Sequence, residues 1–151
     1  MQQNCHKVRV TFHNYFSSVW AMSADPRQEL GRRGEQVAVE HLLRRGFDII
    51  ERNYRTRWGE LDIVAYDGCA LIFCEVKARR MPARGGPPAR AGQPLDAVNG
   101  AKRTQLRKMA GRWLIERRER PFAEELRFDA IGVSFDAGGD LVGLEHIEHA
   151  F

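Results

Sequence analysis

With 151 residues, 43% of them apolar and 29% charged, the chain has the composition of one ordinary globular domain with a single core. No apolar run approaches the ~20 residues of a membrane-spanning helix. Three cysteines without a Cys-x-x-Cys pair speak for a reducing, cytoplasmic setting and against a disulfide frame or zinc site. The net charge of +4 is spread unevenly: residues 79–120 hold 12 Lys and Arg against Asp96, Glu116 and Glu119, a local net of +9 that leaves −5 elsewhere. Such a stretch attracts a polyanion, although a solvated helix face would carry the same charges.

Residues 1–24 show no periodicity. Lys7 and Arg9 precede an apolar-looking run, but Thr11, His13, Asn14, Ser17 and Ser18 interrupt it, so it fails as the core of a signal peptide. It reads as a disordered leader, or as an extension ahead of an alternative start at Met22. Cys5, His6 and His13 match no metal-ligand spacing. Residues 25–151 then form one domain.

Asp25-Pro26-Arg27-Gln28 is a helix start, with Asp25 as cap, Pro26 in the first turn and Gln28 at capping-box spacing. The helix is expected to run to about Arg45 and to stop at Gly46. Ala38, Val39, Leu42 and Leu43 make its apolar stripe, and Glu35 falls near the middle of that stripe. A carboxylate aimed at an apolar face needs a partner: either a buried arginine or a cation site that it shares with other acids.

Asp48–Arg55 reads as a strand, followed by Glu60–Tyr66, the turn signal Asp67-Gly68 and a returning strand Ala70–Lys77. A two-residue turn would pair Tyr66 with Cys69, set Asp62 across from Phe73, and set Glu60 across from Glu75. Glu60, Asp62, Glu75 and Lys77 would then share one face, with Leu61, Ile63, Ile72, Cys74 and Val76 on the other. Clustered carboxylates repel unless a cation lies between them or one is protonated. Two carboxylates and a lysine are the side chains that hold a divalent cation beside a phosphodiester and steady the attacking water. An amphipathic hairpin with a solvated polar face would need no such role.

Residues 79–94 contain four Pro, three Gly and four Arg and read as a loop, starting two residues after Lys77 and able to close over a bound backbone or simply to connect. A long helix is expected from Leu95 to about Arg118, with Val98, Ala101, Leu106, Met109, Ala110 and Trp113 on its apolar side. Lys102, Arg103, Arg107 and Lys108 lie on its flanks as candidate nucleic-acid contacts. Glu125–Phe135 and Leu141–Ile147 read as strands joined at Gly138-Gly139. The order helix, three strands, helix, two strands is that of an α/β sandwich around a mixed sheet, and the strand–helix–strand crossover makes its central pair parallel.

Taken together, Gly31-Arg-Arg-Gly-Glu35, Asn53-Tyr-Arg-Thr-Arg57, Gly59-Glu-Leu-Asp62, Phe73-Cys-Glu-Val-Lys77 and Arg127-Phe-Asp129 resemble the YraN family of bacterial proteins. The resemblance covers roughly residues 27–147. It implies a restriction-endonuclease-like three-layer sandwich, a central mixed β-sheet flanked by helices, similar to archaeal Holliday-junction resolvases and the PD-(D/E)XK nucleases. Glu60-Leu61 stand where the superfamily label has a proline before the aspartate. Carried onto this chain, the resemblance makes Asp62 and Glu75 the metal ligands together with the backbone carbonyl of Val76. Lys77 becomes the group that orients or activates water, and Glu35 the acidic residue borne on the first helix. The cofactor implied is Mg²⁺ or Mn²⁺. The implied partner is nucleic acid, DNA foremost, branched or single-stranded, and a homodimer fits the resolvase likeness. The expectation is a metal-dependent nuclease. Two alternatives of the same fold stay open, a nucleic-acid-binding module without turnover and a protein-interaction scaffold.

Overall fold

The computed structural model describes residues 25–82 and 100–151. The expected leader, the loop from residue 83 onward and the first five residues of the expected second helix lie outside them.

Helix α1 (Pro26–Arg44) begins where Asp25 Oδ1 accepts the Arg27 amide at 2.9 Å. It ends on Gly46, whose φ of 86° is left-handed, with the Gly46 and Phe47 amides bonding back to the Leu43 and Leu42 carbonyls. The strands are β1 (Asp48–Thr56), β2 (Gly59–Tyr66), β3 (Ala70–Arg80), β4 (Glu125–Phe135) and β5 (Leu141–Ile147), and helix α2 (Gly100–Glu116) links β3 to β4. The sheet order is β1-β2-β3-β4-β5. β3 and β4 run parallel over their full length and every other pair is antiparallel, as the crossover requires.

One helix covers each face, giving a three-layer α/β sandwich. Under α1, Ala38, Val39 and Leu42 pack on Ile63, Ile72, Cys74 and Val76. Under α2, Leu106, Met109, Ala110 and Trp113 pack on Tyr54, Leu61, Val64, Leu71 and Phe73. Trp113 is fully buried, stands edge-on to Phe73 at 5.8 Å, and donates its indole N–H to Glu51 at 2.7 Å. Truncating such a ring costs about 3–5 kcal/mol. Among the described residues, no helix is long and apolar enough to cross a membrane.

Three expectations need correction. Leu43, assigned to the stripe of α1, is 53% exposed, and Gly34 takes the buried place at the other end; the α1 stripe is set by close approach to β3 and is centred nearer the N-terminus. Ala101, assigned to the apolar side of α2, is exposed, because the buried row starts at Leu106, where the helix reaches the sheet. Arg79 and Arg80, assigned to the loop, extend β3 against Ser134 and Phe135 of β4.

Candidate active site

The β2–β3 hairpin is looser than a two-residue turn. Asp67 Oδ1 accepts the amides of Cys69 (3.0 Å) and Ala70 (2.7 Å), closing a four-residue connection. Tyr66 therefore pairs with Leu71 rather than Cys69. The register moves by two positions, which keeps each side chain on its face, but it changes who meets whom. The ladder ends at Ile63 and Cys74. One step beyond, Asp62 comes opposite Glu75.

At that step the strands stop alternating regularly. Asn53, between the pairs Arg52–Ile63 and Tyr54–Leu61, has φ of 54°, a left-handed conformation that asparagine tolerates better than most residues. Ile63 packs under α1 while Leu61 packs under α2, so the expected common face for Leu61 and Ile63 is broken. Glu60 does not join Glu75 either. With its amide nitrogen turned toward the acids, Asn53 donates to Glu35 Oε2 at 3.0 Å and to Glu60 Oε1 at 2.9 Å. The partner that Glu35 requires is thus this amide, with Arg52 and Arg32 near enough to favour its charge. Burial still pushes the Glu35 carboxyl above its ordinary value.

The break directs the Asp62 carboxylate into the gap between β2 and β3, where its Oδ2 accepts the Val76 amide at 2.7 Å. The side chain stands where a ladder carbonyl would otherwise be. Burial first, then the charge of Glu75, push its pKa to about 7, against the opposing pull of the Val76 amide and Lys77. Glu35 adds to the rise, so both of the other acids expected at the site bear on Asp62.

Glu75 is 2% exposed. Its Oε1 takes two ammonium groups, Lys77 Nζ at 2.6 Å and Lys102 Nζ at 2.9 Å. Its Oε2 is buried without a hydrogen-bond partner among the described residues. Lys102, expected among the phosphate contacts of α2, is therefore part of the carboxylate site, while Arg103, Arg107 and Lys108 stand exposed along the same helix. Position 102 carried no sequence signal that separated it from its basic neighbours. Asn53 carried only a weak one, its tolerance of left-handed backbone.

Gly34 brings α1 up to the site. A Cβ at Gly34 would lie 2.5 Å from that of Ala78, the residue after Lys77. That close approach sets Glu35 beside the broken strand pair. Glu35 also lines a cleft of about 320 Å³ with Glu29, Arg32, Arg33, Gln36, Arg52 and Asn53. Among the described residues, no three His, Cys, Asp or Glu side chains converge as a ready metal cage. The donors present are the carboxylates of Asp62 and Glu75, and Glu75 Oε2, without a partner among the described residues, is the atom that a hard cation would satisfy.

A second buried ionic cluster lies elsewhere. Arg127 donates from Nε and Nη2 to the fully buried Asp129 (3.0–3.2 Å) and from Nη1 to Asp67 of the hairpin turn (3.1 Å). His146 Nε2 meets Asp129 at 2.9 Å. Burial alone would raise the Asp129 carboxyl, but His146 and Arg127 overcome it and hold the group below its ordinary value. This cluster fixes the hairpin turn to β4 and thereby the register that sets Asp62 against Glu75.

The three-layer fold with paired carboxylates at a strand break defines an α/β protein whose polar site is built on β2, β3 and both helices. The family model described as "Uncharacterised protein family UPF0102" matches residues 34–133, and the chain belongs to this family, also called YraN. It is 44% identical over 126 residues to a UPF0102 protein of Frankia casuarinae, an alignment covering 83% of this chain and 98% of that one. It is also 39% identical to a UPF0102 protein of Pelotomaculum thermopropionicum (85% and 99% covered) and 40% identical to one of Geobacter metallireducens (82% and 93%).

Proposed function

We propose that this protein is a metal-dependent phosphodiesterase acting on nucleic acid, DNA foremost, with a restriction-endonuclease-like fold. The observation that carries the reading is Glu75 Oε2, buried and without a partner among the described residues, beside a second carboxylate, Asp62, whose pKa is pushed up to about 7 by burial and by Glu75 itself. A carboxyl as strongly perturbed as that of Asp62, beside a buried second acid, is more common at reacting centres than in scaffolding. Asp62, Glu75 and the Val76 carbonyl would hold Mg²⁺ or Mn²⁺, which supplies Lewis acidity toward a phosphoryl oxygen and a more acidic bound water. Lys77, 2.6 Å from Glu75, is within reach of the same centre to steady a water or developing negative charge. Glu35 borders it from α1. The exposed Arg103, Arg107 and Lys108 suit sequence-independent phosphate contacts.

The test is incubation of the purified protein with duplex, single-stranded, flapped and four-way-junction DNA in Mg²⁺, in Mn²⁺ and in chelator. At least one substrate should be cut with metal and spared without it. Glu75→Ala should lose metal binding and cutting, and Lys77→Ala should lose cutting alone. Activity that persists in both variants, purified identically, is contamination and sinks the reading. A second reading, a nucleic-acid-binding module without turnover, draws on the two ammonium groups that neutralise Glu75. DNA binding with no cutting of any substrate would select it.

A further inference from the structure

The β1–β2 turn carries a feature that the carboxylate site does not use. Arg57 and Trp58 form the turn, and the Arg57 guanidinium lies over the Trp58 ring at 4.4 Å. The turn is rigid: Thr56 Oγ1 accepts the Trp58 amide and donates to the Gly59 carbonyl, each at 3.1 Å, and Gln105 of α2 donates to the Trp58 carbonyl. Beside it opens a cleft of about 380 Å³ lined by Tyr54, Arg55, Thr56, Arg57, Trp58, Arg112 and Glu116. That volume lies within the range of small-ligand sites. Glu116 is engaged by the Tyr54 hydroxyl at 2.6 Å and by Arg112 at 2.5 Å. Arg112 is paired with Glu116 and Arg55 with Glu60 at 3.4 Å, and Arg57, the third arginine of the lining, leaves the cleft cationic.

A guanidinium over an indole, on a residue exposed to solvent, offers a stacking platform, since bases stack on arginine planes as they do on aromatic rings. Position ties the cleft to the carboxylate site. Lys102, which holds Glu75, Gln105, which holds the turn, and Arg112, which lines the cleft, follow one another along one side of α2. Ten residues of helix span about 15 Å, so the cleft and the carboxylate site lie on one side of α2 within reach of a single bound strand.

We propose that this cleft binds an unpaired nucleotide of a nucleic-acid strand, the base stacked on Arg57 over Trp58 and the phosphates met by Arg55 and Arg112. The inference rests on the nucleic-acid reading above and adds selectivity for unpaired strand at a position displaced along α2 from the carboxylate pair.

The test is fluorescence anisotropy of a labelled oligo-dT and of a blunt duplex, both in chelator, so that the result is independent of cleavage. The full chain is compared with Arg57→Lys, which keeps the charge and loses the plane, and with Trp58→Ala, with thermal melting as a check on folding. Arg57→Lys, at an exposed position, should weaken oligo-dT binding about 5-fold or more while changing duplex affinity less than about 2-fold, in line with the energy of one base stack. Equal loss for both ligands, or no loss for oligo-dT, overturns the proposal. So does a wild-type protein that binds poly-glutamate and no oligonucleotide, which would assign the cleft to an acidic protein. A protein that binds oligo-dT through Arg57 yet cuts nothing upholds the proposal and removes only the catalytic reading.

Discussion

Asp62 Oδ2 accepts the main-chain amide of Val76 at 2.7 Å, a side chain in the place of a strand carbonyl. Because the carboxylate completes the sheet, it is fixed without a salt bridge among the described residues, and it stays buried next to Glu75. The same bond that orders Asp62 keeps it in the buried place, beside the Glu75 charge, where burial first and that charge second raise its pKa to about 7.

A carboxyl whose folded pKa lies above its unfolded value binds its proton more tightly in the native state. Stability therefore falls as pH rises from about 4 to about 7, and the full cost is present above that window. Asp62→Asn keeps an oxygen for the Val76 amide and removes the charge. It should stabilise the protein at pH 8 by roughly 2–4 kcal/mol, an advantage that shrinks toward pH 4. Denaturant melts at both pH values check this, and an advantage independent of pH would contradict it.

Lys102 and its exposed neighbours should separate in kind. Arg107→Glu should weaken DNA binding for all sequences alike and flatten the salt slope by about one phosphate contact, ~0.7–0.9 in log–log units. Lys102→Ala should lose turnover beyond its loss in binding, since its ammonium sits 2.9 Å from Glu75. Binding titrations at several salt concentrations, set beside single-turnover cutting, distinguish the two.

Two glycines three residues apart on α1 should respond oppositely to alanine. A methyl added at Gly31 would meet nothing within 4 Å, so Gly31→Ala should stabilise by about 0.5–1 kcal/mol through helix propensity. Gly34→Ala places a methyl 2.5 Å from the Ala78 Cβ and should cost about 1–3 kcal/mol. The double variant Gly34→Ala/Ala78→Gly should recover part of that loss, as a double-mutant cycle of melting temperatures would show.

Asp129→Ala strands Arg127, 8% exposed, without its main partner. A buried charge left alone costs about 3–5 kcal/mol; Arg127 retains Asp67 at 3.1 Å, so the loss should fall short of that limit while the variant still melts clearly earlier than wild type. The loss should be largest near neutral pH. The wild-type Asp129 carboxyl is held below its ordinary value, so its contribution is complete above the unfolded pKa and fades as pH falls through the folded one.

The elements themselves were legible in the chain. Asp25-Pro26 and Gly46 bound α1, Asp67-Gly68 marks the hairpin and Gly138-Gly139 the last turn, because capping and turn chemistry act over a few residues and need no distant partner. The helix between β3 and β4 likewise determined that this central pair is parallel. Strand alternation, a local rule, grouped Asp62, Glu75 and Lys77 but added Glu60, which the structure places with Asn53 instead, and Glu35 joined the group through the family resemblance. What only the tertiary structure decided was how they meet. Asp67 binds two amides and Arg127 from β4, which lengthens the turn and moves the register by two. Asn53 turns left-handed and sends Asp62 into the gap between strands. Lys102 folds inward from a helix whose other basic residues face solvent. Each of these depends on groups from different elements of the chain, where the competition between burial, charge and hydrogen bonding is settled by packing rather than by neighbours in sequence.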